Sequence, residues 1–139
     1  VVLTRDDKLD QAISIMKLDK NRKSTSFDNS AITVVEEDYD YNEISRKLNL
    51  IMKGENTIFT FLQAYGANYL KISYENLSLN PKQIIDQISK FCGITVSNAD
   101  IETQFEIQRD KISAKWKKQW LEDVQNENPL FSNNALFKR

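Results

Sequence analysis

The sequence contains no histidine, and only one cysteine, three glycines and two prolines among its 139 residues. Without histidine, neither a histidine general base nor a histidine metal ligand can exist in this sequence, and we predict no metal site. The single cysteine, Cys92, cannot form an internal disulfide, which fits a reducing compartment and a cytoplasmic location. No run of 18 apolar residues is present, so no membrane span is predicted.

Neither sign of charge dominates, since the sequence has 19 Lys and Arg residues and 20 Asp and Glu residues. This balance argues against the broad positive field of proteins that bind long nucleic acids. Hydrophobic residues make up 40% of the sequence and charged residues 28%, which is typical of a folded globular protein. The length predicts one domain over residues 1–139, with an Asn-rich, loose tail over 126–139.

Apolar periodicity predicts short strands that alternate with amphipathic helices, hence an α/β protein with more helix than strand. Strands are predicted at Val1–Thr4 and Tyr69–Ser73, and Ile32–Val35 is either a short strand or an extended edge segment. Residues 19–30 are predicted to form an exposed loop. The four predicted helices have apolar stripes at Leu9, Ala12, Ile13 and Met16; at Ile44, Leu48, Ile51, Met52, Phe59 and Leu62; at Ile84, Ile85, Ile88 and Phe91; and at Ile112, Trp116, Trp120 or Leu121, and Val124. Asn42 and Asn80 are the predicted caps of the second and third helices, which end at Gly66 and Gly93.

Three segments carry candidate binding residues. Arg5 stands at the carboxyl end of the first strand, and Ser14 follows on a helix face that can turn back toward it, a pair suited to a phosphate. Tyr74 follows the second strand, where its ring can stack on a flat base. Arg109 precedes the last helix, whose N-terminus favours anions. The structural alternatives are an Arg5–carboxylate pair with a packed Ser14, a core Tyr74, and a solvated basic face around Arg109.

The amino-acid sequences of these three segments resemble the motifs of a known protein family. Leu3-Thr4-Arg5, followed by Gln11-Ala12 and Ser14, is similar to the 3′-phosphate motif of sulfotransferases that use 3′-phosphoadenosine 5′-phosphosulfate. Its spacing is closest to the bacterial branch similar to trehalose 2-sulfotransferase, because animal cytosolic members place the serine one residue nearer. Tyr74-Glu75-Asn76-Leu77 resembles the family's Tyr-Glu-Asp-Leu segment. Gln108-Arg109-Asp110 resembles a late nucleotide-contacting segment, although bacterial relatives tend to show Arg-Gln-x-Asp there.

The resemblance implies a co-substrate, 3′-phosphoadenosine 5′-phosphosulfate, and an acceptor that is a carbohydrate or lipid alcohol. It implies that Arg5 and Ser14 hold the 3′-phosphate, that Tyr74 approaches the adenine and that Arg109 reaches a phosphate. It also implies the helix-rich part of a P-loop-like sulfotransferase fold with a small parallel sheet. Arg5 and Tyr74 directly follow the predicted strands Val1–Thr4 and Tyr69–Ser73 and have to meet at one sheet edge to share a ligand. We therefore predict that these two strands are parallel neighbours joined by a long, mainly helical crossover.

The family's phosphosulfate loop has no counterpart in this sequence. No Gly-x-x-x-x-Gly-Lys-Ser/Thr pattern occurs, and Gly54, Gly66 and Gly93 lie near helix ends or on a helix. In the family, the catalytic base precedes the strand that bears the arginine. We therefore expect a C-terminal portion of the enzyme, with no catalytic residue and no turnover by itself, whose exposed apolar sheet surface favours a homo-oligomer.

Two other readings stay open on the sequence alone: a non-enzymatic helical interaction module, and a piece of another P-loop-related nucleotide transferase. The remaining clusters have structural interpretations. The acidic run Glu36–Asp38 is predicted to be a solvated loop and Lys115, Lys117 and Lys118 a solvent-facing run, whereas Trp116 and Trp120 are predicted core residues.

Overall fold

The computed structural model describes residues 1–24, 34–95 and 111–127. In this part of the chain the strands and α-helices are β1 (Val2–Thr4), α1 (Lys8–Ser24), α2 (Tyr41–Ala64), β2 (Lys71–Ser73), α3 (Tyr74–Leu79), α4 (Pro81–Cys92) and α5 (Lys111–Glu127), with a single 3-10 turn at Glu36–Asp38. The chain is helix-rich with a small parallel sheet, as predicted. Of the described helices, none is both long and apolar enough to cross a membrane.

The sheet consists of β1 and β2, which pair in parallel. Val2 lies opposite Lys71, and Thr4 lies opposite Ser73 at the carboxyl end of both strands. Two parallel strands cannot be joined by a tight hairpin and need a crossover, and here the connection contains α1 and α2. The predicted parallel pairing through a mainly helical crossover is confirmed.

The described residues fall into two compact units, of which 1–8 and 51–95 form the first. Ile72 of β2 and Ile84 of α4 are buried there, and the buried Thr4 hydroxyl donates to the Ile72 carbonyl at 3.3 Å. The hydroxyl of Ser89, also buried, donates to the carbonyl of Ile85 on α4. The two buried hydroxyls of this unit, those of Thr4 and Ser89, thus both have hydrogen-bond partners.

The second unit contains residues 9–24, 34–50 and 111–127, and its core is organised around Trp116 of α5. The Trp116 side chain is fully buried, its Nε1–H donates to the Glu36 carbonyl at 3.1 Å, and Tyr39 packs edge-on at 6.4 Å between ring centroids. The Trp120 ring stacks on Tyr41 at 6.0 Å. The other buried apolar residues of this unit are Ala12, Ile13, Met16, Val34 and Ile44.

The end of α1 and the start of α2 differ from the predictions, because side-chain partners override local propensity there. Helix α1 continues to Ser24, so the predicted loop at residues 19–30 is wrong over its first part: Asp19 binds Lys47 of α2, and Lys20 binds Asp38. Helix α2 is capped by Asp40 and not by Asn42, since the Asp40 carboxylate accepts the Glu43 N–H at 3.0 Å.

Other boundaries agree more closely. Gly66 and Gly93 follow their helices with φ of 61° and 66°, a left-handed conformation that glycine adopts without strain. Asn80 stands at the predicted cap of α4, yet its side chain makes no capping bond and instead donates to Asn76. Met52, predicted to be buried, is 55% exposed.

Some predicted segments lie outside the described residues. Of the possible strand Ile32–Val35, Ile32 and Thr33 lie outside, while Val34 and Val35 belong to no strand. Of the predicted tail 126–139, residues 126 and 127 continue α5 and the rest lies outside. The single domain over 1–139 stays a prediction.

We expect Trp116→Ala to lower the free energy of unfolding by about 3–5 kcal/mol, because it empties the centre of the second unit's core. Leu121→Ala on the same helix is the matched control; Leu121 is 46% exposed, so the loss should be below about 1 kcal/mol. Urea unfolding followed by circular dichroism measures both. Equal losses would show that Trp116 does not organise this core.

We also expect acid to weaken the start of α2. Hydrogen bonds from Arg46 and then Lys47 lower the pKa of Glu43 from 4.5 to about 2. Because the folded state holds this carboxylate ionised to lower pH than the unfolded chain does, its ion pairs stabilise fully above about pH 4.5 and are lost as the pH falls toward about 2. Glu43→Gln should therefore lower the melting temperature at neutral pH and have progressively less effect down to about pH 3. A constant difference would contradict this.

Candidate functional site

The carboxyl ends of β1 and β2 bring Arg5 and Tyr74 together. Thr4 and Ser73 are the last pair in the register, so Arg5 and Tyr74 leave the two strands side by side at one edge of the sheet. The Arg5 guanidinium carbon lies 4.6 Å from the centre of the Tyr74 ring, within the range of a cation–π contact. The two side chains thus meet at one sheet edge, as the predicted parallel pairing requires.

Glu75 is a third member of this cluster, and sequence reasoning gave it no role. Its Oε2 accepts the backbone N–H of Asp6 at 2.9 Å, and its Oε1 accepts the Arg5 Nε–H at 3.4 Å. Partial burial raises the pKa of Glu75, but hydrogen bonds from the Asp6 backbone, from its own backbone and from Arg5 outweigh burial and lower it. The carboxylate is therefore charged at neutral pH.

The Arg5 guanidinium has contacts on one of its flat faces and at its Nε edge. Tyr74 covers the face and Glu75 takes Nε, while the Arg5 side chain keeps 29% of its surface exposed. Among the described residues, neither terminal nitrogen of Arg5 has a hydrogen-bond acceptor. The predicted structural alternative, an Arg5–carboxylate pair, is thus present, but it leaves unused the two-pronged end that binds phosphate oxygens.

Ser73 sets the position of Tyr74 and Glu75. It ends β2 with extended backbone, and its hydroxyl accepts the N–H of Asn76 at 3.3 Å, so it is the N-cap of α3. The chain therefore turns from strand to helix without a loop, and α3 begins at Tyr74 itself. This short helix was missed in the sequence, because its six residues are too few for an apolar period to emerge.

Lys8 is the next cation along the chain, and it is already paired. Its ammonium lies 2.7 Å from a carboxylate oxygen of Glu55 on α2, and both side chains are less than a quarter exposed. A second cation for a ligand at this sheet edge is therefore not supplied by Lys8.

The other two predicted binding residues are placed differently. Ser14 is exposed on α1 and belongs to the second unit, whereas Arg5, Tyr74 and Glu75 belong to the first. Its predicted convergence with Arg5 stays a prediction. Arg109 lies outside the described residues, and its predicted phosphate contact also stays a prediction.

Comparison with protein families gives a match over residues 1–123 to the family model described as Stf0 sulphotransferase, which covers most of the chain. The chain belongs to the Stf0 sulphotransferase family. The predicted resemblance to sulfotransferases of the trehalose 2-sulfotransferase branch is thereby confirmed. Neither the curated proteins nor the solved structures include a match to this chain.

For this Stf0 sulphotransferase family chain, the sequence did contain a signal for Glu75. If two parallel strands end in register, the residues that follow them lie close together, and an arginine after one strand can pair with a carboxylate after the other. Glu75 is the first carboxylate after β2, and Arg5 is the first cation after β1. The position of Glu75 could thus have been inferred from the same pairing that predicted Arg5 and Tyr74.

We expect Ser73→Ala to destabilise the protein by about 1 kcal/mol, because α3 loses its capping hydroxyl. Ser73→Thr keeps the hydroxyl and should retain most of the stability. Ser78→Ala is the matched control, since the Ser78 hydroxyl only donates back to the Tyr74 carbonyl within α3. Urea unfolding measures all three variants, and a Ser78→Ala loss as large as that of Ser73→Ala would refute the capping role.

Proposed function

We propose that this chain binds the 3′-phosphoadenosine part of 3′-phosphoadenosine 5′-phosphosulfate at the carboxyl edge of β1 and β2. The observation that carries the proposal is the contact between Arg5 and Tyr74, in which the guanidinium carbon lies 4.6 Å from the ring centroid. It puts a charged fork next to a flat ring, which are the two groups that a ribose 3′-phosphate and its purine base require.

The residues present fit this ligand on chemical grounds. The terminal nitrogens of Arg5 would hold the 3′-phosphate, and Tyr74 would approach the adenine. For Ser14 and Arg109, only the family resemblance supports a role, Ser14 as a hydroxyl donor to the 3′-phosphate and Arg109 as a further phosphate contact. A P-loop-like arrangement for the whole family fold is part of the same proposal.

The reaction that we propose for the whole enzyme is the transfer of a sulfuryl group, which the nucleotide donor supplies, to a hydroxyl of a carbohydrate or lipid alcohol. Membership of a sulphotransferase family supports the reaction class. A contact to the 3′-phosphate lies at the far end of the donor from the transferred group, so it stabilises the ground state and the transition state about equally. Arg5 should therefore contribute to nucleotide affinity and leave the chemical step unchanged.

We expect Arg5→Ala to weaken the binding of adenosine 3′,5′-bisphosphate by about 1.5–3 kcal/mol, the strength of a hydrogen bond to a charged group. Arg5→Lys keeps the charge without the fork and should fall in between. Isothermal titration calorimetry on the 139-residue chain measures the affinities, with Arg46→Ala as the control, because Arg46 is exposed on α2 and paired with Glu43. Unchanged affinity in Arg5→Ala would remove the basis of the proposal.

A further inference from the structure

A carboxylate next to a proposed phosphate site is at first sight unfavourable. Glu75 lies against Arg5 and is itself only 27% exposed, so its negative charge opposes the approach of any anion to the same guanidinium. Repulsion from Glu75 weakens anion binding at Arg5. The presence of Glu75 at this site therefore calls for a compensating effect of Glu75 on Arg5.

The two carboxylate oxygens of Glu75 serve two different donors. Oε2 binds the Asp6 backbone N–H at 2.9 Å, which ties the carboxylate to the main chain immediately after β1. Oε1 faces the Arg5 Nε–H at 3.4 Å, a longer bond. The shorter bond is the one to the fixed backbone, so Glu75 is anchored by Asp6 and offers its remaining oxygen to Arg5.

This arrangement selects one orientation of the guanidinium. An arginine can bind a phosphate side-on, through Nε and one terminal nitrogen, or end-on, through both terminal nitrogens. With Nε taken by Glu75 and one face covered by Tyr74, the end-on fork is the part of Arg5 that remains for a ligand.

We infer that Glu75 is a positioning residue of the nucleotide site, which orients Arg5 so that its terminal nitrogens bind the 3′-phosphate end-on. This inference rests on the proposed function. Glu75 itself does not touch the nucleotide and acts only through Arg5. The rival role for Glu75 is that of a competitor that occupies Arg5 until a phosphate displaces it, and it has the opposite consequence for affinity.

Glu75→Gln separates the two roles. Glutamine has one acceptor oxygen in place of two, so it can satisfy the Asp6 N–H but then presents its N–H₂ group to the Arg5 Nε–H, where two donors repel each other. A positioning role predicts that adenosine 3′,5′-bisphosphate binds about three- to tenfold more weakly, the scale of coupling between residues in contact. A competitor role predicts tighter binding, since a negative charge has been removed.

The comparison uses calorimetry on the 139-residue chain with adenosine 3′,5′-bisphosphate and with adenosine 5′-phosphate, which lacks the 3′-phosphate. Glu75→Gln should weaken only the bisphosphate, and in the Arg5→Ala background it should cause no further loss. Asp86→Asn removes the same charge from α4, where Asp86 pairs with Lys90, and should change neither affinity. Glu75→Asp keeps the charge and both oxygens but withdraws them by one methylene, and it too should weaken the bisphosphate alone.

The outcomes distinguish this inference from the proposed function. If Arg5→Ala leaves bisphosphate affinity unchanged, or the chain binds no bisphosphate, the proposed function fails and the inference with it. If Arg5→Ala weakens binding but Glu75→Gln does not, or strengthens it, only the positioning role is overturned. An equal loss for both nucleotides would mean that Glu75 supports the local fold and does not orient Arg5.

Discussion

The parallel register of β1 and β2 is the constraint on which the candidate site depends. With Thr4 opposite Ser73, the residues that follow both strands leave the sheet at the same edge, and Arg5 reaches the ring of Tyr74. A shift of one residue would turn each side chain of the moved strand to the opposite face of the sheet, because side chains alternate with a period of two. The buried hydrogen bond from the Thr4 hydroxyl to the Ile72 carbonyl holds this register from inside the first unit.

Features that local sequence determines were predicted well. The two strands, the helix that ends at Gly93 and the buried Trp116 all follow from apolar periodicity or from a residue with a special backbone preference. The parallel pairing of the strands was predicted on other grounds, from the need for Arg5 and Tyr74 to meet at one sheet edge. The family was recognised from the order of three segments, and the match over residues 1–123 bears it out.

Two features that depend on distant partners were missed. Helix α1 continues beyond its apolar stripe because Asp19 pairs with Lys47 and Lys20 pairs with Asp38. No local sequence pattern encodes these ion pairs. Glu75 is held in position by Asp6 and Arg5, which precede it by 69 and 70 residues in the sequence. A carboxylate of this kind looks like any solvated glutamate until the strand ends are paired, so the topology has to be predicted before the residue can be recognised.

The pairing of Asp6 with Glu75 spans 69 residues, and this separation has a consequence for how the protein folds. Each compact unit is assembled from segments that are not adjacent in the chain, since α2 supplies residues to both. Neither unit can therefore be completed as a growing chain emerges from the ribosome until the later segments have been synthesised. Closing a longer loop costs more chain entropy, and proteins rich in contacts of high sequence separation fold more slowly. We therefore expect the edge that holds Arg5, Tyr74 and Glu75 to form late in folding.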